Sequence, residues 1–212
     1  MKKTTLAAAL VAAATLAGSA QAQVCASFPT VDRGFSLGGR IDFPDAADQF
    51  GVEASLNAAG PLSVFGGVNV ISAEGDNGGD DSIDQFFAGI ALETPRLANM
   101  LGPRASVCPQ ARFEFADTDI GTFTSIPVGL GFGATYATSP AGPTVSPYVI
   151  PQVVFLRNDY ENEALGDDSE TQFGLRGGAL VTFGMFFVGG EANYLGGDNS
   201  DTTLGIRAGV RF

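Results

Sequence analysis

The sequence predicts an all-β protein, a single antiparallel up-and-down β-barrel that spans a membrane. Three observations lead to this fold. Most of ten predicted strand segments alternate between apolar and polar side chains, as do strands with one lipid-facing and one lumen-facing side. Acidic residues concentrate in every second connection between these segments. Beyond residue 22 there is no run of about 18 apolar residues that would form a transmembrane helix.

Residues 1–22 are predicted to be a cleaved signal peptide. Lys2 and Lys3 form a positive n-region, Leu6 to Ala17 an apolar h-region, and Ala20-Gln21-Ala22 a small-residue cleavage site. The apolar run is shorter than the roughly 20 residues of a spanning helix, which disfavours an uncleaved anchor. The predicted organisation is therefore a signal peptide, 1–22, followed by one barrel domain, 23–212.

Charge and composition exclude several classes of function. Beyond the signal peptide the chain carries nine Arg, no Lys and 23 acidic residues, a net charge of −14, which argues against nucleic acid as a partner. The absence of histidine removes Ser–His and Cys–His nucleophile pairs. We expect no catalytic residue, no cofactor and no metal. The Gly/Asp-rich stretch 74–81 lacks the closing Glu of a calcium loop and is interpreted as a solvated loop.

The ten predicted strands are separated by Gly, Asp, Asn and Pro. In chain order they are Phe35–Phe43, Phe50–Asn57, Leu62–Ala73, Gln85–Glu93, Ser106–Ala116, Phe123–Tyr136, Val145–Arg157, Gln172–Phe183, Phe186–Tyr194 and Thr203–Phe212. An even number of strands brings both chain ends to the same side of a single-chain barrel. Eight strands is the alternative, if the fifth and seventh segments are misassigned.

The two faces of the predicted strands differ in polarity. In Phe35–Phe43, for example, one face is apolar and the other carries Arg40 and Asp42. An Arg facing lipid at the bilayer midplane costs roughly 2–4 kcal/mol, so the polar faces are predicted to line the lumen. The charged residues predicted there are Arg40, Asp42, Glu53, Arg112, Glu114, Arg176, Glu191 and Arg207. Val145–Arg157 is apolar on both faces, which leaves its facing open.

Four positive and four negative side chains would share this narrow lumen. A barrel of about eight strands is just filled by side chains, whereas porins of 16–18 strands leave a channel. We therefore predict a mutually neutralised interior that blocks the lumen. The alternative is an ion-selective pore.

The connections between strands also form two sets. One set is acidic and contains 17 of the 23 carboxylates: Asp45, Asp48, Glu74, Asp76, Asp80, Asp81, Asp84, Asp117, Asp119, Asp159, Glu161, Glu163, Asp167, Asp168, Glu170, Asp198 and Asp201. The other set is short and nearly uncharged, except for Thr94–Ala105, which is predicted to contain a helical turn at Arg96–Met100. Long external loops and short periplasmic turns explain this partition. A soluble β-sandwich, which also alternates, does not.

The last nine residues alternate strictly, with one apolar face formed by Leu204, Ile206, Ala208, Val210 and Phe212. A closing strand of this kind, ending on Phe, resembles the one that the barrel-assembly machinery recognises in outer-membrane proteins. In pattern the whole mature chain resembles the small single-barrel outer-membrane proteins that have no soluble domain. The resemblance implies an outer-membrane location with both termini periplasmic, contact with outer-membrane lipid, and recognition of the last strand by the assembly machinery.

The resemblance does not imply a molecular activity. We expect a structural or surface-interaction role with acidic loops facing the medium, and the alternative is a narrow, porin-like pore for small solutes or ions. Neither a ligand nor an oligomeric state is predicted.

Cys25 and Cys108 are the only cysteines. Both are predicted to lie on the periplasmic side, and the periplasm is oxidising, so we predict a disulfide between them. The alternative is a pair of small hydrophobic side chains that are not bonded.

Overall fold

The computed structural model describes residues 23–25, 28–30, 34–44, 48–57, 61–74, 80–102, 105–118, 121–139, 142–160, 168–197 and 200–212. The predicted signal peptide lies outside these residues. In chain order the described elements are β1 (Gln23–Cys25), β2 (Phe28–Thr30), β3 (Gly34–Phe43), β4 (Asp48–Asn57), β5 (Leu62–Glu74), β6 (Asp80–Leu92), α1 (Pro95–Leu101), β7 (Ala105–Thr118), β8 (Gly121–Ala134), β9 (Tyr136–Ala137), β10 (Thr144–Tyr160), β11 (Asp168–Phe183), β12 (Phe186–Leu195) and β13 (Asp201–Arg211).

Ten of these strands close into an antiparallel barrel. β3 to β8 follow one another around the ring, β10 to β13 continue it, and β13 pairs with β3. β9 pairs with β10 in the register that β8 sets, so the predicted strand Phe123–Tyr136 is one barrel strand interrupted at Thr135. The ten-strand prediction is confirmed, and the eight-strand alternative is wrong.

Side chains alternate between the outside of the barrel and its lumen. In β3, Leu37 and Ile41 are 42% and 45% exposed, whereas Ser36, Arg40 and Asp42 on the other face are 2%, 9% and 6% exposed. The exposed row is apolar and the buried row is polar, which reverses the usual arrangement in a water-soluble protein.

Strand β10, whose facing the sequence left open, is apolar on both sides of the wall. Tyr148, Ile150 and Val154 lie inside and are nearly inaccessible, whereas Val153 and Phe155 lie outside and are exposed. Its register against β11 fixes this facing, because Ile150 lies opposite Arg176 and shares its side of the sheet.

The two ends of the barrel differ. We call the end with the β3–β4, β5–β6, β7–β8, β10–β11 and β12–β13 connections the acidic end, and the other the turn end. At the acidic end the strands run further than predicted: β6 begins at Asp80 rather than Gln85, and Glu74 pairs with Asp80. Ten of the 17 carboxylates assigned to loops therefore lie on strands, and the other seven lie outside the described residues. Antiparallel backbone pairing does not require apolar side chains. The predicted strands were therefore too short at this end, because they were placed by alternation alone.

Helix α1 lies at the turn end, between β6 and β7. Pro95 occupies its first turn, where a missing N–H is tolerated. The backbone N–H and the hydroxyl of Thr94 both donate to the Val107 carbonyl, at 2.9 and 2.7 Å. Val107 belongs to the outward row of β7 yet is only 2% exposed, and Ala98 of the helix is 4% exposed, so α1 packs on the outer wall. The predicted helical turn at Arg96–Met100 is confirmed.

Within the described part of the chain, no helix is long and apolar enough to cross a bilayer.

The short strands β1 and β2 form an antiparallel hairpin at the turn end. β1 contacts β7, β8 and β10, and β2 contacts β3 and β11. Since β3 and β8 stand on opposite sides of the ring, the hairpin extends across this mouth of the barrel. This hairpin was not predicted from the sequence, because three-residue strands are too short to show alternation of apolar and polar side chains.

Candidate functional site

The structure brings together inside the lumen all eight charged residues that the sequence placed there. Each takes part in an ion pair: Arg40 with Asp42 at 2.7 Å, Arg112 with Glu114, Arg176 with Glu191 at 2.8 Å, and Arg207 with Glu53 at 3.2 Å and with Glu191 at 2.9 Å. Because every charge has an opposite partner, the interior carries no net charge from these residues.

Arg207 and Glu191 form the centre of this network. Arg207, 2% exposed, joins Glu53 of β4 to Glu191 of β12. Glu191 also pairs with Arg176 of β11 and accepts a hydrogen bond from the Tyr148 hydroxyl of β10. One connected group of side chains therefore links five strands across the lumen, and each buried charge has the partner that its desolvation demands.

Phe87 connects the remaining charged pairs. Its ring, on β6, lies 6.0 Å from the guanidinium carbon of Arg40 and 5.4 Å from that of Arg112. These distances suit cation–π contacts, which gain strength where water is excluded. The Arg40–Asp42 and Arg112–Glu114 pairs thus lie next to the same buried ring.

Below the charged network, toward the turn end, the lumen is filled by apolar side chains. Tyr148, Ile150, Leu180 and Phe187 form one buried cluster, and Ala91 and Cys108 form another with Phe65 packed against it. The alternating pattern predicted the charged side chains of the lumen, and this apolar layer was not predicted. The signal was present: Leu180 shares the strand face of Arg176, and Phe187 shares that of Glu191.

Glycines facing the lumen make room for these large side chains. A Cβ at Gly209 would lie 2.6 Å from Cζ of Phe187, and one at Gly89 would lie 2.7 Å from Cε2 of Phe65. Phe187 thus lies over Gly209 of the neighbouring strand and Phe65 over Gly89, which lets a narrow barrel accommodate two aromatic rings.

Two cavities lined by described residues lie in the interior toward the acidic end. Their volumes are about 140 and 280 Å³, and both are lined by Gln85, Arg112, Glu114 and Asn193. The charged network lines the smaller cavity, and the apolar cluster fills the lumen beyond it. Within the described residues the hollow part of the lumen thus lies between the apolar cluster and the acidic end.

Two solved structures are similar to this chain. One is the N-terminal β-barrel domain of OprF from Pseudomonas aeruginosa, with 12% identity, a TM-score of 0.41, and coverage of 85% of this chain and 98% of that chain. The other is the β domain of the Bordetella autotransporter BrkA, with 14% identity, a TM-score of 0.48, and coverage of 85% and 96%. No family model matches the chain, and no curated protein matches it.

The predicted assembly strand is β13. Leu204 and Ile206 on its outer face are 58% and 56% exposed. At its end the backbone of Phe212 exchanges two hydrogen bonds with Phe35, at 2.8 and 3.2 Å, and the two rings stack with centroids 6.3 Å apart. The last residue therefore extends the seam between the first and last barrel strands by one further pair.

The predicted disulfide stays a prediction, because the side chain of Cys25 lies outside the described side chains. Cys108 is fully buried in the lumen wall, and β1, which carries Cys25, contacts the strand that carries Cys108. Within the described residues no cysteine is free. Much of the stretch 74–81 is also outside the described part, and within that part no group of three or more His, Cys, Asp or Glu could hold a metal ion.

Proposed function

We propose that this protein is an outer-membrane β-barrel with a closed lumen and a structural or surface-interaction role. The observation that carries this proposal is the inversion of polarity across the wall. Each barrel strand presents a large apolar side chain outward, 39–56% exposed; in ring order from β3 these include Leu37, Val52, Val64, Ile90, Phe113, Val128, Val153, Leu175, Val188 and Ile206. We call this outward surface the apolar belt.

A continuous apolar belt around a closed barrel fits lipid. Monomeric soluble proteins rarely expose contiguous apolar patches above a few hundred Å². In a bilayer the same surface needs no other partner, and barrel closure leaves no unpaired strand edge. The outward-facing charges Asp84, Asp117 and Arg157 each lie on the acidic-end side of an exposed aromatic of the same strand, Phe86, Phe115 and Phe155 respectively.

Three layers support a closed lumen. From the turn end upward these are the β1–β2 hairpin across the mouth, the apolar cluster around Phe187, and the charged network around Arg207. A water-filled pore would need all three layers to move. The acidic end is therefore the surface left for interaction with the medium, and its charge favours cationic partners.

Planar-bilayer recording of the purified, heat-modifiable protein tests this proposal. We expect insertion without steady current steps. Steady single-channel currents from the unmutated protein would instead support the narrow pore. A chain that remains in the soluble fraction of cells, with no heat-modifiable form, would contradict the membrane location.

A further inference from the structure

Helix α1 exposes three large apolar side chains. Leu97, Met100 and Leu101 are 48%, 82% and 63% exposed, and Met100 is the most exposed large hydrophobic residue among those described. Their spacing of three and four residues places them on one side of the helix.

The opposite side of the same helix is already occupied. Ala98 is buried against β7, and the helix covers Val107 on the outer wall. The first turn has no acidic residue and the last turn no basic residue. A solvated surface helix carries polar residues on its outer face. The side chains of this helix that the structure describes, Leu97, Ala98, Met100 and Leu101, are apolar on both the packed side and the free side, and its sequence also contains Arg96 and Asn99.

The free side of α1 continues the apolar belt. The helix follows β6, whose last residue, Leu92, is 44% exposed and pairs with Leu62, 41% exposed. Leu62, Leu92 and Leu97 thus place exposed apolar side chains at the turn end of the barrel, on the strands and on the helix. The surface that would contact lipid along the strands thus extends onto the helix.

We propose that α1 is an interfacial helix, seated at the boundary between headgroups and acyl chains of the leaflet at the turn end. Leu97, Met100 and Leu101 insert among the upper acyl carbons, while the packed face holds the helix to β7. A helix of this length is about 10 Å long, so it widens the contact of the barrel rim with the leaflet on one side. The inference rests on the proposed membrane location.

The absence of tryptophan from the chain allows a depth measurement without background. Three single-Trp variants are compared in vesicles made with lipids brominated either near the glycerol end or near the methyl end of the acyl chain. M100W reports on α1. F86W, in the apolar belt on β6, is the control for a lipid-facing site, and S169W, exposed at the acidic end of β11, is the control for water.

We expect M100W to lose fluorescence mainly to bromine near the glycerol end, F86W to lose fluorescence to lipid bromine at either position, and S169W to lose it to neither. If M100W is unquenched while F86W is quenched, the helix is not in the lipid, and the inference fails although the membrane barrel stands. A blue-shifted but unquenched M100W would mean that a protein surface covers the helix instead. If F86W is unquenched as well, the membrane location itself is wrong.

Discussion

Arg207 is the lumen side chain whose loss should cost most. It is 2% exposed and its removal leaves two carboxylates, those of Glu53 and Glu191, each short of a partner. Glu191 would keep its hydrogen bond from Tyr148 and its ion pair with Arg176, whereas Glu53 would lose its ion pair with Arg207. Breaking a buried pair is destabilising chiefly because of the charge left behind.

We therefore predict that Arg207→Ala lowers the free energy of unfolding by about 3–5 kcal/mol. The matched control is Arg157→Ala, because Arg157 pairs with Asp159 at 2.8 Å but both side chains are well exposed. Its loss should cost less than about 1 kcal/mol. Urea unfolding of the detergent-solubilised barrel, followed by loss of the heat-modifiable band, measures both. Equal effects of the two substitutions would show that the lumen pairs are hydrated.

A second residue-scale prediction concerns the room that lumen glycines provide. Gly51→Ala should destabilise the barrel by roughly 1–3 kcal/mol, because a Cβ there would collide with the Asn69 side-chain oxygen. Gly39→Ala on the outer face is the control, since its nearest neighbour would be the Gly51 carbonyl at 3.7 Å, an ordinary contact. Asn69→Ala combined with Gly51→Ala should recover part of the loss. If Gly51→Ala and Gly39→Ala unfold at the same denaturant midpoint, the lumen has room for the additional methyl group at position 51, and the prediction is wrong.

Among single residues, the sequence was most informative where polarity alternated. It placed the eight lumen charges, because an Arg facing lipid is costly. It could not predict which side chains form pairs. Tyr148 donates a hydrogen bond to Glu191 because the closed barrel brings the two strands together, and no local spacing in the sequence encodes this contact. It also missed Phe187 and Leu180, because apolar residues on a polar row carry no penalty in a lumen that excludes water.

At the scale of elements, the β1–β2 hairpin depends on how it is tethered. We predict that Cys25 and Cys108 are bonded, which would fix the hairpin to β7 and contribute about 4 kcal/mol by the loop-entropy model. Thiol labelling of denatured, unreduced protein should find no reactive thiol, and two after reduction. Cys108→Ser should then expose one thiol and lower the unfolding midpoint. Two thiols in unreduced protein would disprove the bond.

Strand β13 carries the other prediction at this scale. Deleting Phe212 should leave the chain unassembled in the periplasm, because it removes both the hydrogen bonds to Phe35 and the last apolar position of the strand. Phe173→Ala is the control, a similarly exposed aromatic of the outer row, at 57%, away from the seam. Heat-modifiable mobility in cell fractions distinguishes the two. Normal assembly of the deletion variant would refute a role for this residue.

The strands themselves followed from the sequence almost completely, although their ends at the acidic side did not. Alternation predicts the part of a strand whose two faces have different surroundings, and it fades where the two faces are alike, as at Asp80 in β6 and Asp168 in β11. Backbone pairing continues there, as Asn158 opposite Asp168 shows. Helix α1 was expected only as a turn, and its packing on the outer wall was not foreseen, because nothing local in Pro95–Leu101 specifies β7 as its partner.

For the whole molecule, charge distribution distinguishes the two ends. The 17 carboxylates assigned by sequence to one set of connections lie toward one end of the barrel wherever the structure describes them. The other end has the two-residue turn Gly184–Met185, where Gly184 adopts a positive φ of 61°, and the hairpin. If the barrel lies in the outer membrane as proposed, we predict from this difference that the acidic connections face the medium and the short turns face the periplasm.

That orientation can be measured on intact cells. Thr202→Cys at the acidic end and Met185→Cys in the turn are each introduced into a background in which Cys25 and Cys108 are serine, so that one thiol is present. Both positions are exposed. A membrane-impermeant maleimide should label Thr202→Cys on intact cells, and Met185→Cys only after the outer membrane is permeabilised. Labelling of Met185→Cys on intact cells, and of Thr202→Cys only after permeabilisation, would mean that the acidic end faces the periplasm. Labelling of both variants on intact cells would mean that both ends of the barrel are accessible from the medium, which contradicts the predicted orientation.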